Sequence, residues 1–183
     1  MGSATREALG AATAALTAQG SVDFATGEQL LAAALVVDGS SALRAALADD
    51  TAPLASRASI VSSVFGSYTP AAKAVLESLA SGRWSSEADF VSGIERLGIR
   101  AIASSSSDIA SIGDELFEFS TAVSSNPELE LALGSRLGAV EGKVALVADL
   151  LGDKASEQTV AILSALIARP EGRRIAALIR YAA

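Results

Sequence analysis

The side chains that could do chemistry are carboxylates, serines and a few cations, because the sequence has no cysteine and no histidine. That absence removes thiolate nucleophiles, disulfides, iron–sulfur clusters, histidine-ligated metals and any Ser-His-Asp triad. Acidic residues come in groups: Asp49-Asp50, then Asp114, Glu115 and Glu118, then Glu128 and Glu130. Paired carboxylates can do acid–base work or bind magnesium. No phosphate-binding glycine loop and no lysine stands near them in sequence, and the plainer reading is solvated helix faces with negative charge near helix N-termini. Serine catalysis without histidine would need a lysine base. The lysines are Lys73, Lys143 and Lys154, and neither a Ser-x-x-Lys nor a Gly-x-Ser-x-Gly motif occurs. The expectation is therefore no catalytic, metal-binding or cofactor-binding residue.

Three other features could act by contact. Arg169, Arg173, Arg174 and Arg180 cluster near the end of the sequence with only Glu171 against them, whereas residues 108–141 hold seven acids and one arginine. The cluster reads either as a contact for an acidic partner or as cations at helix C-termini. The single tryptophan, Trp84, follows Gly82 and Arg83 at a helix junction and reads as core packing or as an interface anchor. Residues 160–168 contain one polar side chain, Ser164. A helix apolar on all sides is either buried or offers its surface to a partner helix.

The elements that must position these groups are helices. Of 183 residues, 39 are alanine and only 4 proline, which favours helix strongly. No segment alternates as a strand would. Expected helices cover residues 5–18 and 26–37. A short one carries Leu43 and Leu47, and another begins at Pro53 and ends at Gly66, read as a left-handed cap. The next starts at Thr69-Pro70, bears Val75, Leu76 and Leu79, and stops at Gly82. Ser85 or Ser86 caps the following one. Four serines at 104–107 read as a bend. Ser111 with Asp114 reads as a capping box and Asn126-Pro127 as another start. Net charge is −7 and aromatics are 4%, a poor composition for gripping nucleic acid. The longest aliphatic run, residues 30–37, is eight long, against the roughly 20 needed to span a bilayer. The chain reads as soluble and cytoplasmic.

After the serine stretch the pattern returns with an offset of 86 residues. Gly27, Leu30 and Val37 fall on Gly113, Leu116 and Val123. Leu43 and Leu47 fall on Leu129 and Leu133, Arg57 on Lys143, and Val61 on Val147. One residue later in phase, Val75, Leu76 and Leu79 fall on Ile162, Leu163 and Leu166. Either the chain is an internal duplication or two alanine-rich helical segments match generically. The expected fold is all-α, two tandem repeats of a roughly six-helix bundle, spanning 1–103 and 104–183. The last helix reads as cut short, as in a fragment of a longer chain.

Four stretches carry a resemblance to a known family: SATREAL at 3–9, SGRWSSEADFVSGIERL at 81–97, DELFEFSTAVSSNPELELAL at 114–133, and GKVALVADLLGDKAS at 142–156. Together they resemble the delta subunit of F-type ATP synthases in its long actinobacterial form. The family's C-terminal Gly-Gly is absent, and Asp38-Gly39-Ser40 lies too early to stand for its Asp-Gly-Ser signature.

The resemblance implies a non-catalytic peripheral-stalk subunit that holds the catalytic head to the b subunit. It implies a six-helix module receiving the N-terminal helix of an alpha subunit in a groove of its first and fifth helices. Carried onto this sequence, the fifth-helix residues are Val75, Leu76 and Leu79 in the first module and Val160, Ile162, Leu163, Leu166 and Ile167 in the second. The second module is the expected alpha-binding one. No nucleic acid or direct membrane insertion is implied, and the location would be the inner face of the cell membrane through the complex. The alternative is an unrelated helical-repeat adaptor that binds some other partner helix. An enzyme built on carboxylates and a metal is the third reading.

Overall fold

The computed structural model describes residues 2–20, 22–135, 138–170 and 173–183, without the side chain of residue 153. Glu171 lies outside the described residues. The structure is all-α; among the described residues there is no β-strand. The chain divides into two compact units, Met1–Ser105 and Ser106–Ala183.

The first unit contains α1 (Ser3–Ala18), α2 (Phe24–Asp38), α3 (Ser41–Ala48), α4 (Leu54–Val64), α5 (Pro70–Ser81) and α6 (Glu87–Ser104). Its core gathers Leu16, Leu30, Val37, Leu47, Val61, Phe65, Val75, Leu76, Leu79, Phe90, Ile94 and Leu97. Small residues set the helix spacing. A Cβ on Gly27 of α2 would lie 2.7 Å from the backbone N of Ile102, and one on Gly98 of α6 would lie 3.0 Å from that of Leu31. α2 and α6 thus touch backbone to backbone. Trp84 packs edge-on against Phe90, ring centroids 5.6 Å apart, and donates its indole N–H to the Leu79 carbonyl at 2.9 Å.

Polar groups inside this unit are tied to helix ends. The buried Thr5 hydroxyl donates to Asp89 at 2.9 Å and accepts the Ser85 N–H at 3.1 Å. Arg57, also buried, donates to the carbonyl of Ala80 near the end of α5.

The second unit contains α7 (Ile109–Ser125), α8 (Pro127–Gly134), α9 (Val140–Leu151), a 3-10 turn (Gly152–Lys154), α10 (Glu157–Ala168) and α11 (Ile175–Ala182). Its buried set includes Ile112, Leu116, Phe119, Val123, Leu133, Val147, Ile175, Leu178 and Ile179.

Several helix starts are set by side-chain capping, worth about 1 kcal/mol each. Asp23 accepts from Thr26 N, Thr69 from Ala72 N, Ser86 from Asp89 N, Asn126 from Glu128 N and Leu129 N, and Ser156 from Thr159 N. Three local expectations are corrected. The cap of α7 is Asp108, which accepts from Ser111 N at 3.1 Å, so Ser111 is inside the helix; an acceptor three residues upstream outcompetes the Ser111 hydroxyl. Pro53 precedes α4 as its cap residue and α4 begins at Leu54. Gly66 is not left-handed; among the described glycines only Gly20 and Gly152 have positive φ. A turn through Phe65 and Tyr68, closed by Tyr68 N–H to Phe65 carbonyl at 3.0 Å, ends α4 instead.

Candidate partner-binding surface

The fifth-helix stripes lie inside their units. Val75 and Leu79 are fully buried and Leu76 nearly so. Ile162, Leu163, Leu166 and Ile167 are likewise buried, and of these eight residues only Val160 is half-buried. Periodicity marks an apolar face but does not say whether the chain's own helices cover it. Here they do, so seven of the eight side chains shape the bundle from within.

The other side of α10 remains partly open. Val160, Ala161, Ser164, Ala165 and Ala168 are all half-buried. The Ser164 hydroxyl turns back to the Val160 carbonyl at 2.7 Å, so its polarity is satisfied within the helix. The corresponding positions on α5, 87 residues earlier, are Lys73, Ala74, Glu77, Ser78 and Ser81, with Glu77 and Ser81 exposed. The outer face of α5 is charged and wettable; that of α10 is not.

α10 is aimed by a carboxylate. Ser156, its cap residue, donates its N–H and its hydroxyl to Glu115 of α7 at 2.9 and 2.8 Å. Ser111 adds a hydroxyl at 3.2 Å. Burial pushes the Glu115 carboxyl up, but hydrogen bonds from Thr159, Ser156 and Ser111 together outweigh it and hold its pKa below the usual glutamate value. Glu130 plays the same part for α11, accepting the N–H of Ile175 at 2.6 Å and of Ala176 at 3.1 Å. Arg174, the residue before α11, has no capping side chain to offer.

The first acidic pair is also engaged. Asp49 accepts from the N–H and hydroxyl of Thr51, whose hydroxyl and then N–H lower its pKa, and Asp50 pairs with Arg83 at 2.8 Å. Among the described residues no three acidic side chains converge as a metal site. Sequence reasoning missed Glu115 and Glu130 as long-range caps. The signal was present in the offset: Gln29 falls on Glu115 and Thr69 on Ser156, and Thr69 N–H donates to Gln29 at 2.7 Å.

The arginines separate. Arg169 is buried at the end of α10. Arg173, Arg174 and Arg180 are exposed around a groove between α8 and α11. No single helix among the described residues is long and apolar enough to cross a membrane.

No family model matches the chain. Individual proteins do. Over its whole length the chain is 45% identical to the ATP synthase subunit delta of Leifsonia xyli, covering 70% of that protein. It is 36% identical over 80% of its length to the ATP synthase subunit delta of Acidothermus cellulolyticus and 35% identical over 91% to that of Nocardia farcinica. It spans 55% and 62% of those two proteins. With 45% identity over its whole length to 70% of one delta subunit, the chain belongs to the ATP synthase delta-subunit family.

Proposed function

We propose that the second unit of this stalk subunit grips the N-terminal helix of an alpha subunit along the outer face of α10. Membership of the delta family makes the chain a peripheral-stalk subunit of ATP synthase with no bond-making step of its own. The remaining partner in this reading is the b subunit, and the site of action is the cytoplasmic face of the membrane-bound complex. The observation that carries the assignment is the contrast between the two outer faces. A partner helix gains from covering Val160, Ala161, Ala165 and Ala168 but would have to desolvate Lys73 and Glu77 on α5. Small side chains let a partner backbone approach closely. Ile162, Leu163, Leu166 and Ile167 hold that face rigid from beneath, as Val75, Leu76 and Leu79 do for α5.

The two units, taken as modules over 1–103 and 104–183, are read as copies of one ancestral bundle. One long-range contact supports this beyond helix spacing. Gln29 with Thr69 matches Glu115 with Ser156. The partners sit at equivalent places while the chemistry has changed.

The test is binding of a synthetic alpha N-terminal peptide by calorimetry. Val160→Asp is expected to weaken binding at least tenfold while far-ultraviolet circular dichroism is unchanged, and Lys73→Asp to leave it unaltered. Equal affinity of Val160→Asp and the parent chain would refute the assignment.

A further inference from the structure

We propose that the groove between α8 and α11 docks an acidic amphipathic helix from another subunit, a contact distinct from the α10 face; it rests on the stalk-subunit reading. The groove is open to solvent, has a volume of about 670 Å³, and is lined by Pro127 and Leu131 of α8, Ala177 of α11, and Arg173, Arg174 and Arg180. Leu131 is 73% exposed and lines the groove together with three guanidinium groups. An apolar wall next to a cationic one fits a ligand with an apolar stripe flanked by carboxylates. A small phosphate compound would leave Leu131 and Pro127 unused.

Among the described residues lining the groove, three arginines face one carboxylate, despite the net charge of −7 on the chain. Among the described residues the carboxylate lining it is Glu130, whose two oxygens are engaged by the N–H groups of Ile175 and Ala176. It is held against the helix end and cannot swing out to neutralise an arginine. Arg173 stacks over the Tyr181 ring at 5.8 Å, which fixes the direction of its guanidinium. Arg180 reaches the Ser124 hydroxyl at 3.4 Å, and among the described residues neither it nor Arg174 is paired with a carboxylate. Bidentate guanidinium–carboxylate contacts across such a groove supply specificity and register.

The sequence has no cysteine, so Leu131→Cys provides a single attachment point for benzophenone maleimide. The labelled full-length subunit is assembled into ATP synthase, purified through another subunit and irradiated. The expected result is a cross-link to a helix-forming segment of a different subunit carrying two or more acidic residues. Its yield should fall at least about fivefold between about 0.05 and 0.5 M salt, and by a similar factor when Arg174→Glu and Arg180→Glu are added. A cross-link to a neutral or basic segment, to lipid or to a second copy of this chain overturns the proposal. So does a salt-independent yield, or no cross-link in complexes that contain the subunit. Absence of the subunit from the purified synthase instead overturns the stalk reading, and this docking surface with it.

Discussion

Glu115 and Ser156 lie 41 residues apart and are joined by two hydrogen bonds to one carboxylate oxygen. Through them α7 holds the first residue before α10, so the direction of α10 is fixed at its start as well as by its buried stripe. The negative charge also sits where the helix dipole favours it. Gln29 does the same for Thr69 at the start of α5 without a charge.

The charge makes the second unit acid-sensitive. The folded pKa of Glu115 lies below the ordinary glutamate value of 4.5. Its contribution is therefore complete above that value and is lost as pH falls through the lower folded pKa. Glu115→Gln should keep an acceptor for Ser156, as Gln29 does, and abolish this part of the pH dependence. Denaturant unfolding of the parent and variant at pH 7 and at about pH 3 checks it: the stability gap must narrow on acidification. Glu115→Ala should cost about 1–3 kcal/mol at pH 7.

Glu130 is the cap that α11 lacks locally. Glu130→Ala strips two N–H groups, those of Ile175 and Ala176, of their acceptor, at a cost of about 1–2 kcal/mol. Amide exchange should accelerate across 175–179 and stay unchanged in α5. Uniform acceleration over both units would contradict the local account.

Gly27 is a packing requirement. A Cβ there meets the backbone of Ile102, which cannot rotate away. Gly27→Ala should destabilise the first unit by about 1–3 kcal/mol despite the higher helix propensity of alanine. Gly142→Ala, where the new Cβ meets nothing within 4 Å, should stabilise by about 0.5–1 kcal/mol. Thermal unfolding of both variants tests the contrast.

Val160 and Ile162 separate surface from core on one helix. Ile162→Asp places a charge at a site 1% exposed and should unfold the second unit, losing helical signal and peptide binding together. Val160→Asp should lose binding alone. Loss of helicity in both variants would mean that α10 has no open face in solution.

The sequence alone decided helix type and much of the punctuation, but the second unit has five α-helices among its described residues where about six were expected, and Ser111, Pro53 and Gly66 do not play the helix-end roles expected of them. Alanine abundance, apolar stripes and Thr69-Pro70 or Asn126-Pro127 starts are local signals, and a helix is built from local hydrogen bonds. The four family stretches were equally legible because they are contiguous. Burial was not. Ile162 and Val160 are both aliphatic residues on α10, and only packing by the other helices of the unit leaves one buried and the other half-open. The roles of Glu115 and Glu130 were hidden for the same reason. A carboxylate that caps a helix 41 or 45 residues away reads in sequence as one more solvated acid, until the fold brings its oxygens to an N–H that has no partner in its own helix.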